Sequence, residues 1–138
     1  MTVDFFENID KRIAGTIIDE LNIEFIETDP DRLVLKMPIT PKTHQPAGIL
    51  HGGVSVVLAE TAASVGTAIN IDLTKKVAVG LEINANHVRS KRDGHVFAVA
   101  VPVHKGRTTM IWEIKIVDEE DKLICTSRCT MAIIDSQQ

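Results

Sequence analysis

The sequence predicts an α+β domain in which a curved antiparallel sheet wraps around one long central helix. Two observations predict this fold. Residues 54–69 are apolar or small on nearly every side and include only one charge, Glu60, a pattern typical of a buried helix. From residue 76 onward, apolar runs alternate with short polar turns, which is typical of an antiparallel meander.

Before the central helix the sequence predicts a helix, a hairpin and a loop. Residues 22–27 and 32–38 have the character of two strands, and residues 28–31 supply turn chemistry between them. Residues 40–50 hold two prolines and predict an irregular loop that leads into the helix. Residues 4–19 predict one amphipathic helix over the rest of the fold, because their apolar positions have helical spacing: Phe5, Phe6, Ile9, Ile13, Ile17 and Ile18.

After the central helix the sequence predicts four strands joined by tight turns. The expected strands are 76–90, 95–103, 108–117 and 123–134. The polar segments between them contain Gly94, Lys105-Gly106 and Asp118-Glu-Glu-Asp-Lys122, which are typical turn compositions.

Composition limits the classes of function. The chain has 138 residues, which suits a single domain over 1–138, and its formal charge of −4 argues against general binding to a nucleic acid backbone. Residues 43–73 lack Lys and Arg, but Glu60 and Asp72 interrupt them, so we do not expect a membrane span. We expect a cytoplasmic protein with neither nucleic acid nor membrane as a partner.

The two cysteines are predicted to be packing residues. Cys125 and Cys129 lie four residues apart in one predicted strand, roughly 13 Å, which is beyond the reach of a disulfide. No Cys-x-x-Cys pair or His-Glu-x-x-His motif is present, so the sequence predicts neither a metal site nor a cofactor.

Glu60 is the first candidate for chemistry. An ionised carboxylate within an apolar helix is costly to desolvate, and burial raises its pKa, so either an ion pair with an Arg or a function must explain it. Ser64 lies one helical turn later on the same face, where its hydroxyl can hold a water beside the carboxylate. Gly52 and Gly53 lie at the helix start, where backbone N–H groups lack partners and the helix dipole favours negative charge. A carboxylate and an oxyanion-stabilising helix start are two parts of an acyl-transfer site.

Cationic side chains form a second candidate site near two predicted turns. His87, Arg89 and Lys91 alternate onto one face of an extended chain, and residues 104–109 form a neighbouring turn. These groups could bind the phosphates of a ligand through charge-assisted hydrogen bonds, or they could be the solvated ends of hairpins.

Two motifs resemble the hotdog-fold thioesterases, in the branch whose catalytic carboxylate is a Glu on the central helix. The motifs are Gln45-Pro-Ala-Gly-Ile-Leu-His51-Gly-Gly-Val-Ser-Val-Val-Leu-Ala-Glu60 and Val79-Gly-Leu-Glu-Ile-Asn-Ala-Asn-His87-Val-Arg-Ser90. The likeness is greatest to 1,4-dihydroxy-2-naphthoyl-CoA hydrolases and to related thioesterases of phenylacetic acid and siderophore pathways, and it extends over about residues 33–134.

The resemblance implies a role for each motif residue. Glu60 would be the nucleophile or the general base, and the Gly53 N–H would polarise the thioester carbonyl. His51 and Gln45 would hold the thioester and the loop, although His51 could instead only brace the helix start, and Ser64 would position water or the leaving group. The family builds each site between two subunits, so Glu60 and Ser64 would face Gln45 and His51 of a partner chain.

The resemblance also implies where coenzyme A binds. Gly80 would lie where the pantetheine arm passes close to backbone. The nucleotide would be held by one strand end and one turn, formed by His87, Val88, Arg89 and Ser90 and by His104, Lys105, Gly106, Arg107, Thr108 and Thr109.

The implied activity is hydrolysis of an aromatic acyl-CoA, with dihydroxynaphthoyl-CoA as the first choice and menaquinone biosynthesis as the setting. Ala47 stands where related enzymes tend to carry a bulkier aromatic residue, which could enlarge the acyl pocket. Two alternatives remain, namely a proofreading thioesterase for acyl carrier proteins and a non-catalytic domain that binds acyl-CoA. The family pairs subunits into a continuous sheet, so a homotetramer built as a dimer of dimers is expected.

Overall fold

A computed structural model describes residues 4–137, which form two short helices, one long helix and six strands. A single turn of 3₁₀ helix, Pro41–Thr43, precedes the long helix. In chain order the elements are α1 (Ile9–Ile13), α2 (Ile17–Glu20), β1 (Glu24–Asp29), β2 (Arg32–Pro38), α3 (Gly52–Ala68), β3 (Lys76–His87), β4 (His95–Lys105), β5 (Thr109–Asp118) and β6 (Leu123–Asp135).

The six strands form one antiparallel sheet in the order β1-β2-β4-β5-β6-β3, and α3 packs against β2 through β6. The α+β class, the central helix and the meander are therefore confirmed, and the architecture is the hotdog fold. This order places β1 and β3 at the two edges of the sheet. The segment between α3 and β3 therefore leads to the edge opposite β1.

The helix lies close to the sheet because a glycine faces the largest buried side chain. An ideal Cβ on Gly66 would lie 2.7 Å from the Trp112 ring, so any larger residue would push the helix away from β5. One residue later, the Thr67 hydroxyl accepts a 2.9 Å hydrogen bond from Nε1 of Trp112, which satisfies the buried indole N–H. These contacts fix where α3 crosses the sheet.

The prediction of one N-terminal helix over residues 4–19 is wrong. Two short helices, α1 and α2, replace it, because Gly15 has a φ of +76° between them and a left-handed residue cannot continue a right-handed helix. The apolar side chains still face the protein, since Phe5, Phe6 and Ile18 pack against the core. The periodicity is a correct guide to the buried face and a poor guide to helix length.

The prediction that α3 is buried on all sides is also wrong. Its sheet-facing residues Ala59, Ala62 and Ala63 are fully buried, but Glu60 is exposed. One face of the helix therefore borders open space in the single chain, even though most of its residues are apolar.

The strand predictions are confirmed to within a few residues, except at the end of β3. That strand ends at His87 and not at residue 90, because the N–H groups of Val88 and Arg89 both donate to the Ile124 carbonyl and the chain turns away. Residues 88–94 then form a loop at the same end of the sheet as the start of α3.

Both cysteines are buried free thiols, as predicted. Burial raises the pKa of Cys125 and raises that of Cys129 to about 12, with a smaller contribution to the Cys129 shift from the charge of Glu60.

Over residues 4–137, no helix is both long and apolar enough to cross a membrane. In the same part of the chain there is no group of three or more His, Cys, Asp or Glu side chains placed so that they could hold a metal ion.

Candidate active site

Backbone hydrogen bonds hold the loop before α3 against the rest of the fold. The buried Thr43 accepts a 2.8 Å bond from the His51 N–H through its carbonyl, and Leu50 donates a 2.8 Å bond to the Lys91 carbonyl. Within the loop, the Gln45 N–H donates to Ile49, and its side-chain Oε1 accepts the N–H of Ala47. The predicted irregular loop is thus an ordered platform that sets the position of Gln45 and of the helix start.

His51 caps the helix and determines which backbone donor is available. Its Nδ1 accepts a 2.8 Å hydrogen bond from the Gly53 N–H, so that donor is already occupied. Within residues 4–137, the Gly52 N–H has no hydrogen-bond acceptor. The Gly53 N–H, which was expected to face the substrate, is therefore occupied, and the N–H of Gly52, one residue earlier, is available to a ligand. In neutral His51 the ring proton then lies on Nε2, which remains a donor.

A cavity of about 380 Å³ opens beside the helix start. An ideal Cβ on Gly52 would lie 2.8 Å from Nε2 of His87, so only glycine leaves room for the imidazole there. The structure therefore brings the loop amide, the first helical residue and the end of β3 into one cavity, whose polar lining is Gln45, Gly52, Ser55, His87, Arg89 and Ser90.

Glu60 and Ser64 lie on a different cavity, of about 470 Å³. The walls are mainly apolar, with Val56, Val57 and Val65 on the helix side. In the described residues no Lys, Arg or His forms an ion pair with Glu60, so the structural ion pair considered above is not present. The carboxylate is an unpaired charge beside an apolar cavity.

The N-terminal segment supplies another wall of this cavity. The sequence alone gives these residues no role at the site. Phe5, Ile17 and Ile18 line it together with Glu60 and Ser64. Ile17 keeps 53% of its surface exposed, so it is available to contact a ligand in this cavity. The amphipathic spacing identified the apolar face, but it could not show that part of this face borders a cavity.

Gly80 on β3 lies directly against the Glu60 carboxylate. An ideal Cβ on Gly80 would lie 3.0 Å from Oε2 and 3.4 Å from Cδ of Glu60. The strand also bulges immediately after this residue, because Gly80 pairs with Met131 and Glu82 with Thr130, leaving Leu81 as the extra residue.

Glu60 and Gly52 of one chain are too far apart to act on one carbonyl. They are eight residues apart on a continuous helix, which corresponds to about 12 Å at 1.5 Å per residue. A thioester carbonyl within hydrogen-bond distance of the Gly52 N–H therefore lies out of reach of the carboxylate of the same chain.

The two expected coenzyme A segments lie at opposite ends of the sheet. His87 is aligned through β6 with the end of β5, whereas Lys105 pairs with Met110 near the start of β5. Six residues of β5, roughly 20 Å of strand, separate Met110 from Ile116, so the expectation that these cations form one cluster is wrong for a single chain.

Two of the lysines in these segments already have acidic partners. Lys91 forms a 2.8 Å ion pair with Glu119, and Lys105 forms a 2.5 Å ion pair with Asp31. The hydrogen bond from Lys91 lowers the pKa of Glu119 to about 2. Lys91 therefore points away from the cavity beside Gly52 and braces the loop that contacts Leu50. Arg89 and Arg107 form no ion pair within residues 4–137.

Comparison with known proteins identifies relatives of this chain. The chain is 50% identical over 115 residues to a 1,4-dihydroxy-2-naphthoyl-CoA hydrolase of Listeria monocytogenes, covering 83% of this chain and 93% of that protein. It is 39% identical to the proofreading thioesterase EntH of Cronobacter turicensis, covering 93% of both chains.

A solved structure and a family profile also relate this chain to thioesterases. The crystal structure of a mutant of the thioesterase PA1618 from Pseudomonas aeruginosa superposes with a TM-score of 0.90 at 41% identity, covering 99% of this chain and 97% of that one. The profile of the thioesterase superfamily matches residues 47–125, which include the end of the loop, α3 and strands β3 to β5. The chain belongs to the thioesterase superfamily and is a thioester hydrolase.

Proposed function

We propose that this protein hydrolyses an aromatic acyl-CoA thioester to the free acid and coenzyme A, with 1,4-dihydroxy-2-naphthoyl-CoA as the first candidate substrate. The observation that carries the proposal is the position of Glu60, an unpaired carboxylate beside a largely apolar cavity. The 50% identity to a hydrolase of that substrate supports the choice of acyl group, and that substrate would place the reaction in menaquinone biosynthesis.

In this proposal Glu60 acts either as the general base or as the nucleophile. It either removes a proton from a water that attacks the thioester carbonyl carbon, or attacks that carbon itself to form an anhydride that water then cleaves. The carbonyl oxygen becomes an oxyanion and accepts a hydrogen bond from the Gly52 N–H at the positive end of the helix dipole. Collapse of the intermediate breaks the C–S bond and releases coenzyme A as a thiolate that takes up a proton. Ser64, one turn from Glu60, positions the water.

Each site is proposed to combine two chains, with Glu60 from one and Gly52 from the other. The separation of about 12 Å between these residues within one helix supports this division. The edge position of β3 supports it. Among the described residues this twelve-residue strand pairs only with β6, and its Val79 and Leu81 are 42% and 62% exposed. Edge strands of this length invite pairing with a second strand. The opposite edge, β1, carries three acidic residues and a bulge, which discourage such pairing.

Pairing along β3 also bears on the two cationic segments. In an antiparallel β3–β3 pair the two chains run in opposite directions. The His87 end of β3 in one chain then lies at the same end of the joined sheet as the 104–109 turn of the other chain. Arg89, Ser90 and the partner's Arg107 could then bind the phosphates of one coenzyme A. A further pairing of dimers into a homotetramer is part of the proposal, supported by Val101 and Val103, which leave apolar surface exposed on β4.

The acyl group is proposed to occupy the cavity formed by α3 and the N-terminal segment. Its volume of about 470 Å³ lies within the usual range for ligand pockets, and its lining is mainly aliphatic, with Phe5 as an aromatic wall. Such a pocket favours a ring system over a short polar acyl group. The two free thiols fit a reducing compartment such as the cytoplasm.

The test is release of free thiol from aromatic acyl-CoA, aliphatic acyl-CoA and acyl carrier protein thioesters. Wild-type protein should hydrolyse aromatic acyl-CoA fastest, and Glu60→Gln should lower kcat by at least about 10³-fold. The matched control is Glu24→Gln, an exposed glutamate on β1, which should keep wild-type activity.

Each other outcome has a definite meaning. A Glu60→Gln variant with wild-type turnover would contradict the mechanism. Activity confined to carrier protein thioesters would favour the proofreading function, to which the 39% identity with EntH gives support. Tight binding of acyl-CoA without turnover of any thioester would leave a non-catalytic binding domain.

A further inference from the structure

We propose that Gly80 is a positioning residue for the Glu60 carboxylate: the absence of a side chain on β3 is what lets the carboxylate occupy its reactive position. This inference rests on the proposed role of Glu60 and extends it to a residue that does not itself touch the reacting atoms. It differs from the expectation that Gly80 leaves room for the pantetheine arm of the substrate.

The contact geometry assigns the space to the carboxylate. The three atoms nearest to an ideal Cβ on Gly80 all belong to Glu60: Oε2 at 3.0 Å, Cδ at 3.4 Å and Oε1 at 3.8 Å. A separation of 3.0 Å is shorter than an ordinary carbon–oxygen contact, so a methyl group there would move the carboxylate. Because the carboxylate is the far end of a flexible side chain, it would yield more readily than the backbone.

The strand is shaped around this position. Gly80 pairs with the buried Met131, so its missing side chain would point inward, toward α3. Leu81 is the extra residue of the bulge that follows. Because of this extra residue, the next side chain that points inward is that of Ile83, which pairs with the buried Cys129. Bulges beside active sites redirect side chains, and this one interrupts the β3–β6 ladder directly after the residue that faces Glu60.

The surroundings restrict where a displaced carboxylate could go. Gly80 and β3 lie on one side of the carboxylate, and on the other side Glu60 lines the cavity of about 470 Å³. A carboxylate pushed away from β3 would therefore move into this cavity, away from its position beside the strand. Displacements of about 1 Å at a reacting group lower rates by as much as about 10²-fold.

The test is Gly80→Ala, measured as kcat and KM separately for an aromatic acyl-CoA. The added methyl group displaces the carboxylate by a few tenths of an ångström, so the proposal predicts that kcat falls by about threefold to tenfold. KM and the Kd of a non-hydrolysable thioether analogue of the substrate should change by less than about twofold. Thermal unfolding should occur near the wild-type temperature, because the gain from replacing a strand glycine by alanine offsets the cost of displacing a flexible side chain.

A double-mutant cycle with Glu60→Asp provides the matched control. Aspartate is shorter by one methylene and withdraws the carboxylate from Gly80, so adding Gly80→Ala to Glu60→Asp should lower kcat by less than about twofold. If Gly80→Ala lowers the unfolding temperature, Glu60→Ala should restore it, because the clash would be with the carboxylate.

Several results would overturn the proposal. A rise in KM and in the Kd of the thioether analogue at unchanged kcat would assign the space to pantetheine. Unchanged kcat, an equal loss of kcat in the wild-type and Glu60→Asp backgrounds, or a loss of stability that Glu60→Ala does not restore would each show that the carboxylate contact has no role. All of these results are distinguishable from failure of the proposed function, which would appear as full activity of Glu60→Gln.

Discussion

The Gly53 N–H donates a 2.8 Å hydrogen bond to Nδ1 of His51, the residue that caps α3. This bond removes one donor from the helix start and leaves the N–H of Gly52 as the donor that faces the cavity beside His87. It also fixes the proton of neutral His51 on Nε2. In the proposed mechanism His51 therefore determines which backbone N–H is available to the oxyanion.

We predict that Gly52→Pro abolishes most of the activity. Proline is well tolerated at the first position of a helix but has no N–H, so it removes the proposed oxyanion donor with little disturbance of α3. The control is Gly52→Ala, which keeps the N–H and adds the same Cβ beside His87. Thiol release should show kcat lower by about 10²-fold or more in the proline variant than in the alanine variant. Equal activity of the two variants would exclude the Gly52 N–H as the donor.

The N-terminal wall of the acyl cavity should influence substrate choice. Ile17→Ala removes apolar contact from this wall, so kcat/KM for an aromatic acyl-CoA should fall about fivefold while that for acetyl-CoA stays constant. Ile26→Ala is the matched control, because Ile26 is 54% exposed, against 53% for Ile17, and lies on β1 away from the cavity. A parallel fall for both substrates, or for both variants, would show that Ile17 does not contact the acyl group.

The sequence is a good guide to the fold because its strongest signals are local. The apolar segment that forms α3 and the alternating strands with polar turns depend on nearest-neighbour chemistry, and both lie where the sequence predicts them. The single helix over residues 4–19 fails at Gly15, since spacing reports which face is apolar and not whether one glycine adopts a positive φ.

The candidate site is less predictable because it depends on relations between distant residues. The apolar sequence neighbours of Glu60 suggest burial, whereas the exposed side of α3 is determined by which strands cover the helix. The cationic segments are expected to lie together, yet the antiparallel order of strands puts them at opposite ends. Gly53 is favoured over Gly52 because the sequence cannot show that His51 caps its own helix.

Stability should depend on pH through the ion pair that braces the loop after β3. The hydrogen bond from Lys91 lowers the pKa of Glu119 from 4.5 to about 2. The stabilisation is therefore fully present above about pH 5 and is lost as the pH falls through 4.5 toward 2. Because Glu119 is partly exposed, the effect should be about 0.5 kcal/mol. Urea unfolding should show wild type more stable than Glu119→Gln at pH 7 and the difference shrinking by pH 3; a constant difference would contradict the assignment.

The two thiols should be unreactive in the folded protein. Burial raises the pKa of both, so little thiolate forms at pH 8, and reagent access is blocked as well. Iodoacetamide followed by mass measurement should label neither Cys125 nor Cys129 in native protein and both in denaturant. Rapid labelling of Cys129 in the native state would mean that the region beside Glu60 is open.

The central claim is that Glu60 of one chain and Gly52 of another form each active site, and subunit complementation tests it most directly. Glu60→Ala and Gly52→Pro chains, each inactive alone, would be unfolded together and refolded as a one-to-one mixture. Half of the dimers should be mixed, and each mixed dimer has one intact site of two, so the mixture should show about a quarter of wild-type thiol release. A mixture as inactive as its two components, with mixed dimers present, would contradict the account, because a site formed within one chain cannot be restored by exchange.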